Sequence, residues 1–217
     1  KTVRMAARAL GRHGLVHAYG HCSARLDADS FLVCPSKPMG LTDVGEECLT
    51  APVGGALPDG VLGEVRLHQQ IYRNRPEARG VVRFMSPHMM ALAALGKVPK
   101  PRHGFGSYFA PGVGLWNDPQ LIRDDERAVG VYAAMGDSNA VMMRGNGAVT
   151  TGASLEEAVV MAWYLEDACR VELEALRCGL AETGPVLSEE ECAARATRAG
   201  LIIERMWDFL THGDPEA

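Results

Sequence analysis

Residues 12–26 read Arg12-His13-Gly14-Leu15-Val16-His17-Ala18-Tyr19-Gly20-His21-Cys22-Ser23-Ala24-Arg25-Leu26, and the fold turns on this stretch. Upstream of it, Val3, Met5, Ala6, Ala9 and Leu10 recur at helical spacing, so residues 2–12 form a helix that Gly11 and Gly14 end. Downstream, residues 23–26 and 31–35 read as two short strands around the polar turn 27–30, a hairpin. The stretch therefore marks where a helical layer gives way to a sheet. His13, His17 and His21 stand four apart, as in a helical metal chelate. Gly14 and Gly20 interrupt any helix through them, so that spacing is read as coincidence.

Working outward, 217 residues suit one domain with a generous core. Apolar residues at 47% and charged residues at 23% are near globular averages, which excludes a disordered tail or a fibre. A net charge of −5 leaves no basic face for a nucleic-acid backbone. No apolar run reaches the roughly 18 residues of a membrane span, and no signal peptide is seen ahead of the fold. Lys1 as first residue leaves the natural start open. Six cysteines without a CxxC pair are expected to be reduced thiols in a cytoplasm.

The remaining elements mix helix and strand. Residues 47–53 read as an edge strand before Gly54-Gly55, 62–73 as a helix closed by Pro76, and 80–85 as a short apolar strand. Pro87 opens a helix to residue 95. The Gly- and Pro-rich segment 96–117 holds Phe105, Tyr108, Phe109 and Trp116, rings that favour a functional loop over a linker. A helix over 119–135 and strands over 140–144 and 148–151 follow. Ser154 with Glu157 caps a long helix to 177, and Ser188 with Glu191 caps a last one to 210. No internal repeat or low-complexity tract is present.

The opening stretch, Gly63-Glu64 with His68, the strand 81–86 and the turn Arg144-Gly145-Asn146-Gly147 before Gly152 follow one another in an order that resembles the class II aldolase/adducin family, over roughly residues 2–178. The resemblance implies an α/β fold, a three-layer α/β/α sandwich around a mainly antiparallel sheet. It also implies one domain over 1–217, with a helical extension at about 188–212, and a homo-oligomer, most commonly a tetramer with sites between subunits. In metal-dependent members a His-x-His pair on the strand and a His in the Arg-Gly-His-Gly turn hold a divalent cation. Here those three positions are Arg83, Met85 and Asn146. Arg cannot lose its proton and a thioether suits only soft ions, so no metal and no other cofactor is expected.

Two readings of this departure compete. In one, the Arg83 guanidinium has taken over the cation's electrophilic role, with Glu64, the family's acid/base or ligand position, still in place. In the other, the site has decayed into an adducin-like interaction module, and Glu64 merely suits a helix start. The retained Glu64 favours the first reading. The resemblance also puts Leu62 and Gly63 where sugar-phosphate aldolases carry two phosphate-binding serines, so the pocket is apolar and lacks a phosphate clamp. His21, Ser23, Ser36, Lys37, Met85 and His88 are expected to bind substrate. Glu64, Arg83, Arg144, Asn146 and Tyr108 are the expected catalytic set, Tyr108 from a loop that enters a neighbouring subunit.

These features resemble the family's decarboxylases most. The expected activity is a carbon–carbon lyase, a metal-independent decarboxylase of a hydroxy-substituted aromatic, heteroaromatic or hydroxymuconic carboxylic acid. Alternatives are an aldolase or epimerase of a small hydroxy-carbonyl substrate, and a non-catalytic module. The expected partners are the small carboxylic acid and further copies of the chain, with no nucleic acid and no membrane.

Overall fold

The computed structural model describes residues 1–217. Helix α1 (Thr2–Arg12) buries Val3, Met5, Ala6, Ala7, Ala9 and Leu10 on the stripe its sequence lays out. Strands β1 (His21–Arg25), β2 (Ser30–Val33) and β3 (Leu49–Pro52) follow. After a 3-10 turn at Gly63–Val65 come α2 (Arg66–Asn74), β4 (Gly80–Phe84) and α3 (Pro87–Ala94). Then β5 (Gly114–Trp116), α4 (Asp125–Met135), β6 (Ala140–Met143), β7 (Gly147–Gly152) and α5 (Leu155–Arg177) complete the main body, and α6 (Glu189–Arg195) and α7 (Ile202–Thr211) end the chain.

The seven strands form one sheet in the order β3-β2-β1-β4-β7-β6-β5. Every pairing is antiparallel except the parallel β5–β6 edge. Because strand side chains alternate, β4 sends Val82 and Phe84 to one face and Val81 and Arg83 to the other. The first face packs under α1, α3 and α5 with Leu10, Met89, Leu92 and Leu165. The second packs under α2 and α4 with Leu67, Ile71, Tyr72, Val131 and Met135. These are the three layers that the resemblance implies.

The opening stretch is pinned to β4. Met85 N donates to Leu15 O at 3.1 Å. Gly20 (φ +154°) passes so close that a Cβ there would lie 2.7 Å from Val16 Cγ1 and 3.1 Å from Arg83 O. Only glycine lets the chain enter β1 at this point.

Several boundaries differ from expectation, each for a local reason. The helix expected over 119–135 begins at Asp125, because Asp124 takes the cap and accepts from Arg127 N at 2.8 Å. The helix expected over 188–210 is two, since Gly200 and Leu201 both adopt left-handed φ (76° and 57°). The segment 96–117 is not a free loop: it ends in β5, a strand too short to announce itself among glycines. Its rings are covered by the chain itself, with Tyr108 and Phe109 buried and Phe105 stacked on Tyr164 at 4.3 Å between centroids. These rings therefore supply no argument for a subunit boundary. All six cysteines are free thiols, and no helix is long and apolar enough to cross a membrane.

Candidate active site

Three elements meet at the carboxyl end of β4. Arg83 points into the α2/α4 face with its side chain only 3% exposed. Glu64 comes from the 3-10 turn ahead of α2, and Asn146 from the turn between β6 and β7. Arg83 Nη2 donates to Asn146 Oδ1 at 2.8 Å and to Asn146 O at 3.0 Å, and lies 3.2 Å from Glu64 Oε2. Asn146 Nδ2 donates to Glu64 Oε1 at 3.3 Å, and Ile122 N donates to the same oxygen at 3.1 Å. Glu64 is thus an acceptor for three donors, the posture of a carboxylate. Burial lowers the Arg83 pKa and Glu64 raises it, the first effect prevailing. The side chain stays cationic at any ordinary pH.

Asn146 is held by its neighbour. Gly147 has φ +94°, and a Cβ there would lie 2.4 Å from Phe84 O. The turn can approach β4 only because residue 147 lacks a side chain.

Behind Arg83 runs a buried polar chain. His21 Nδ1 meets His68 Nε2 at 2.7 Å, His68 Nδ1 meets Ser23 Oγ at 2.6 Å, and Ser23 Oγ meets Tyr72 OH at 2.9 Å. Tyr72 OH also donates to Ser23 O at 3.0 Å. Burial pushes the His68 pKa down to about 3, with the Arg83 charge adding to it. His21 lies well below the ordinary imidazole range, through burial first and then through His68 and Arg83. Both rings are neutral. His68 is the satisfied buried histidine that its place one turn beyond Glu64 suggests, and it reaches the site through His21.

Other expected residues fall elsewhere. Arg144 sits at the surface, its Nε donating to Asn117 Oδ1 at 2.7 Å, so it adds no second cation beside Arg83. The reason is the turn, whose tight approach at Gly147 directs Asn146 inward and leaves Arg144 outside. Tyr108 packs on Tyr164 and donates to Thr197 O at 2.5 Å, which ties it to its own carboxyl-terminal segment. Ser36 Oγ is occupied by Gly60 O, and Lys37 Nζ by Asp43 and Glu46 at 2.9 Å each. Met85 is half-buried against Gly147, at the edge of the cluster. His88 Nδ1 contacts Glu166 Oε1 at 2.7 Å.

Glu166 is a residue that sequence reasoning missed. From α5 it accepts from Ser86 Oγ (2.5 Å), His88 N (3.0 Å) and Met89 N (2.9 Å), capping α3 just past the end of β4. An acidic residue within the half-buried run of α5 was the available signal.

The fold family implies a divalent cation, and the residues present do not fit one. A guanidinium, a thioether and an amide stand at the three ligand positions, and Arg83 fills the place with its own charge. Nowhere does the chain gather three His, Cys, Asp or Glu side chains at metal-binding distance. No step below runs through a metal.

The three-layer sheet with Glu64 at the start of α2 and Asn146 in the β6–β7 turn defines a class, and residues 1–173 match the model of the Class II Aldolase and Adducin N-terminal domain. The chain belongs to that family. It is 28% identical over 200 residues to the 3,4-dihydroxyphthalate decarboxylase of Arthrobacter keyseri, covering 82% of this chain and 79% of that one. With the 3,4-dihydroxyphthalate decarboxylase of Terrabacter sp. (strain DBF63) it is 28% identical over 205 residues, covering 87% and 85%. Among solved structures it superimposes on the L-fuculose 1-phosphate aldolase of Glaciozyma antarctica PI12 with a TM-score of 0.79 at 20% identity, covering 97% and 87%. The last likeness is one of fold. Together these relatives support an enzyme of the lyase type and favour decarboxylation over aldol cleavage.

Proposed function

We propose that the chain is a metal-independent decarboxylase of a hydroxy-substituted aromatic, heteroaromatic or hydroxymuconic carboxylic acid. The observation that carries this reading is the buried Arg83, ion-paired with Glu64 and hydrogen-bonded to Asn146, at the position where the family holds its cation. All of its bonds within the chain run through Nη2, so the rest of the guanidinium remains for a ligand.

When the carboxyl-bearing carbon takes up a proton, the adjacent C–OH becomes keto-like, and loss of CO2 then sends the C–C electron pair back to that oxygen, where a facing cation stabilises the charge. Arg83 is that cation. An anionic substrate competes with Glu64 for Arg83 and frees Glu64 from its ion pair, and Glu64 in its acid form is the proton donor. Glu64 delivers its proton to the carboxyl-bearing carbon, forming the C–H bond, and the C–C bond then breaks with its electron pair moving to the oxygen that faces Arg83. Asn146 holds Arg83 and Glu64 in register. A homotetramer working in the cytoplasm belongs to the same reading, and light scattering tests the assembly.

The test is CO2 release from a panel of hydroxybenzoic, dihydroxyphthalic, hydroxypyridine and hydroxymuconic semialdehyde acids, before and after chelation, with elemental analysis of the protein. Turnover that survives chelation supports the reading. About one divalent ion per chain, with activity lost on chelation, overturns its metal independence. Cleavage of hydroxy-carbonyl compounds without CO2 release overturns decarboxylation.

A further inference from the structure

Two buried polar atoms beside this cluster have no partner within the chain, His21 Nε2 and Arg83 Nε. Their side chains are neighbours, because His21 and Arg83 are directly paired residues of β1 and β4 and leave the sheet on the same face. Buried polar groups are normally hydrogen-bonded, so two adjacent orphans point to a group that binds between them.

Counting protons along the polar chain fixes what that group must be. Tyr72 has one hydroxyl proton, and it goes to Ser23 O at 3.0 Å. The 2.9 Å contact between the two hydroxyls then takes the Ser23 proton. Ser23 has none left for His68, so across 2.6 Å it is His68 Nδ1–H that donates. A neutral imidazole carries a single N–H. His68 Nε2 therefore accepts, and His21 Nδ1–H donates to it across 2.7 Å. His21 Nε2 is left as a bare lone pair next to an Arg83 Nε–H. An oxygen that satisfies both must give one proton and accept another, as a water or a substrate hydroxyl does, and a substrate hydroxyl takes the place of that water when it binds. A carboxylate or ether oxygen would satisfy Arg83 and meet His21 lone pair to lone pair.

We propose that His21 Nε2 and Arg83 Nε form a hydroxyl subsite, in which the substrate's hydroxyl donates to His21 and accepts from Arg83. His21 is then the specificity-determining residue for hydroxylated over O-methylated acids. Tyr72, Ser23 and His68 are positioning residues that act through its tautomer. The subsite rests on the decarboxylase reading and adds to it the group that is recognised. The same oxygen is the one on which Arg83 would stabilise charge as CO2 leaves.

The experiment uses the full chain, ¹⁵N-labelled, at neutral pH. Ring-nitrogen NMR reports the tautomers, and two probes, 2-hydroxybenzoate and 2-methoxybenzoate, report the subsite. Both histidines are expected as Nδ1–H tautomers. The 2-hydroxybenzoate should shift the His21 Nε2 signal and bind about tenfold or more tightly than its methyl ether, since a site built for a hydroxyl rejects analogues lacking one. Tyr72→Phe removes the final acceptor, frees the Ser23 proton for His68 and turns both rings to Nε2–H. The preference should then fall to about twofold or less. Ser23→Ala removes the same bias and serves if Tyr72→Phe does not fold. A protonated His21 Nε2 in the unsubstituted chain overturns the subsite. So does 2-hydroxybenzoate that binds no better than the ether or not at all, or a preference that survives the substitution. CO2 release is scored separately: the expected tautomers and preference without turnover keep the subsite and sink the decarboxylase reading.

Discussion

Phe84 and Arg83 are consecutive on β4, yet they belong to two different kinds of interior. Phe84 enters the face under α1, α3 and α5, where β1, β4, β6 and β7 contribute Cys22, Val82, Met142 and Ala148. Arg83 enters the face under α2 and α4, where the apolar floor of Val81, Val141 and Val149 is interrupted by His21, Ser23, His68 and Arg83, all buried. The first interior is held mainly by shape and area, with an isolated bond such as Thr150 Oγ1 to Ala158 O at 2.9 Å, so a well-fitting hydrophobe serves at most of its positions. In the second, each polar atom depends on the next for its partner, and the two atoms left over are where a ligand belongs. One strand thus separates stability from chemistry residue by residue.

The sharpest way to break this comparison is to exchange those two neighbours. Phe84→Ala should cost about 3–5 kcal/mol of folding stability by leaving a cavity, with turnover per folded molecule preserved. Arg83→Met should lose about 10³-fold or more in kcat/KM, and by leaving Glu64 without its cation it should cost up to about 3–5 kcal/mol of folding stability. Denaturant unfolding beside steady-state kinetics checks both. Retained turnover per folded molecule in Arg83→Met would make Arg83 a structural ion-pair residue.

Glu64→Gln keeps the shape but removes the transferable proton. The expected loss is about 10²–10⁴-fold in kcat with binding largely kept. Arg83→Lys should also fail, because one ammonium cannot reproduce a planar fork.

Stability against pH distinguishes the two faces without any substrate. His68 is neutral down to about pH 3 when folded but takes up a proton near pH 6.5 when unfolded, so the unfolded chain binds more protons between those values. Stability therefore falls as pH drops through this window, by up to about 1.4 kcal/mol per pH unit for each buried imidazole, and is fully present above it. His68→Gln should flatten that slope in denaturant titrations at stepped pH. Smaller effects close the series. Asn146→Ala should lower kcat about tenfold, since an amide only orients, and Arg144→Ala should stay within about twofold.

Much of this was legible in the sequence, and the reason is periodicity. The helical stripe of α1, the hairpin, the capped α5 and the alternating apolar positions of β4 follow from local pattern, and they carry the three layers. Glu64, Arg83 and Asn146 were legible through motif order, and the structure brings them within hydrogen-bonding reach of one another. Within the chain Arg144 lies on Asn117 and Tyr108 on the carboxyl-terminal segment, positions that a motif does not reveal because it does not say which way a turn or a loop folds its side chains. The links from His21 to His68 and from Glu166 to α3 span 47 and 78 residues and leave no mark in any local window. Helix breaks at Leu201 and at Asp124 depend on single backbone choices that competing caps decide.

The close approach of Gly147 to Phe84 has a consequence for how such a site changes over generations. The shape of the turn is set by the missing side chain at 147 and not by whatever stands at 146. Position 146 is therefore a socket: an imidazole, an amide or a smaller group can be exchanged there by one substitution without redrawing the backbone. Position 147 is locked, because a Cβ would meet the Phe84 carbonyl oxygen at 2.4 Å. A lineage carrying this turn can trial new chemistry at the end of β4 while its scaffold stands still.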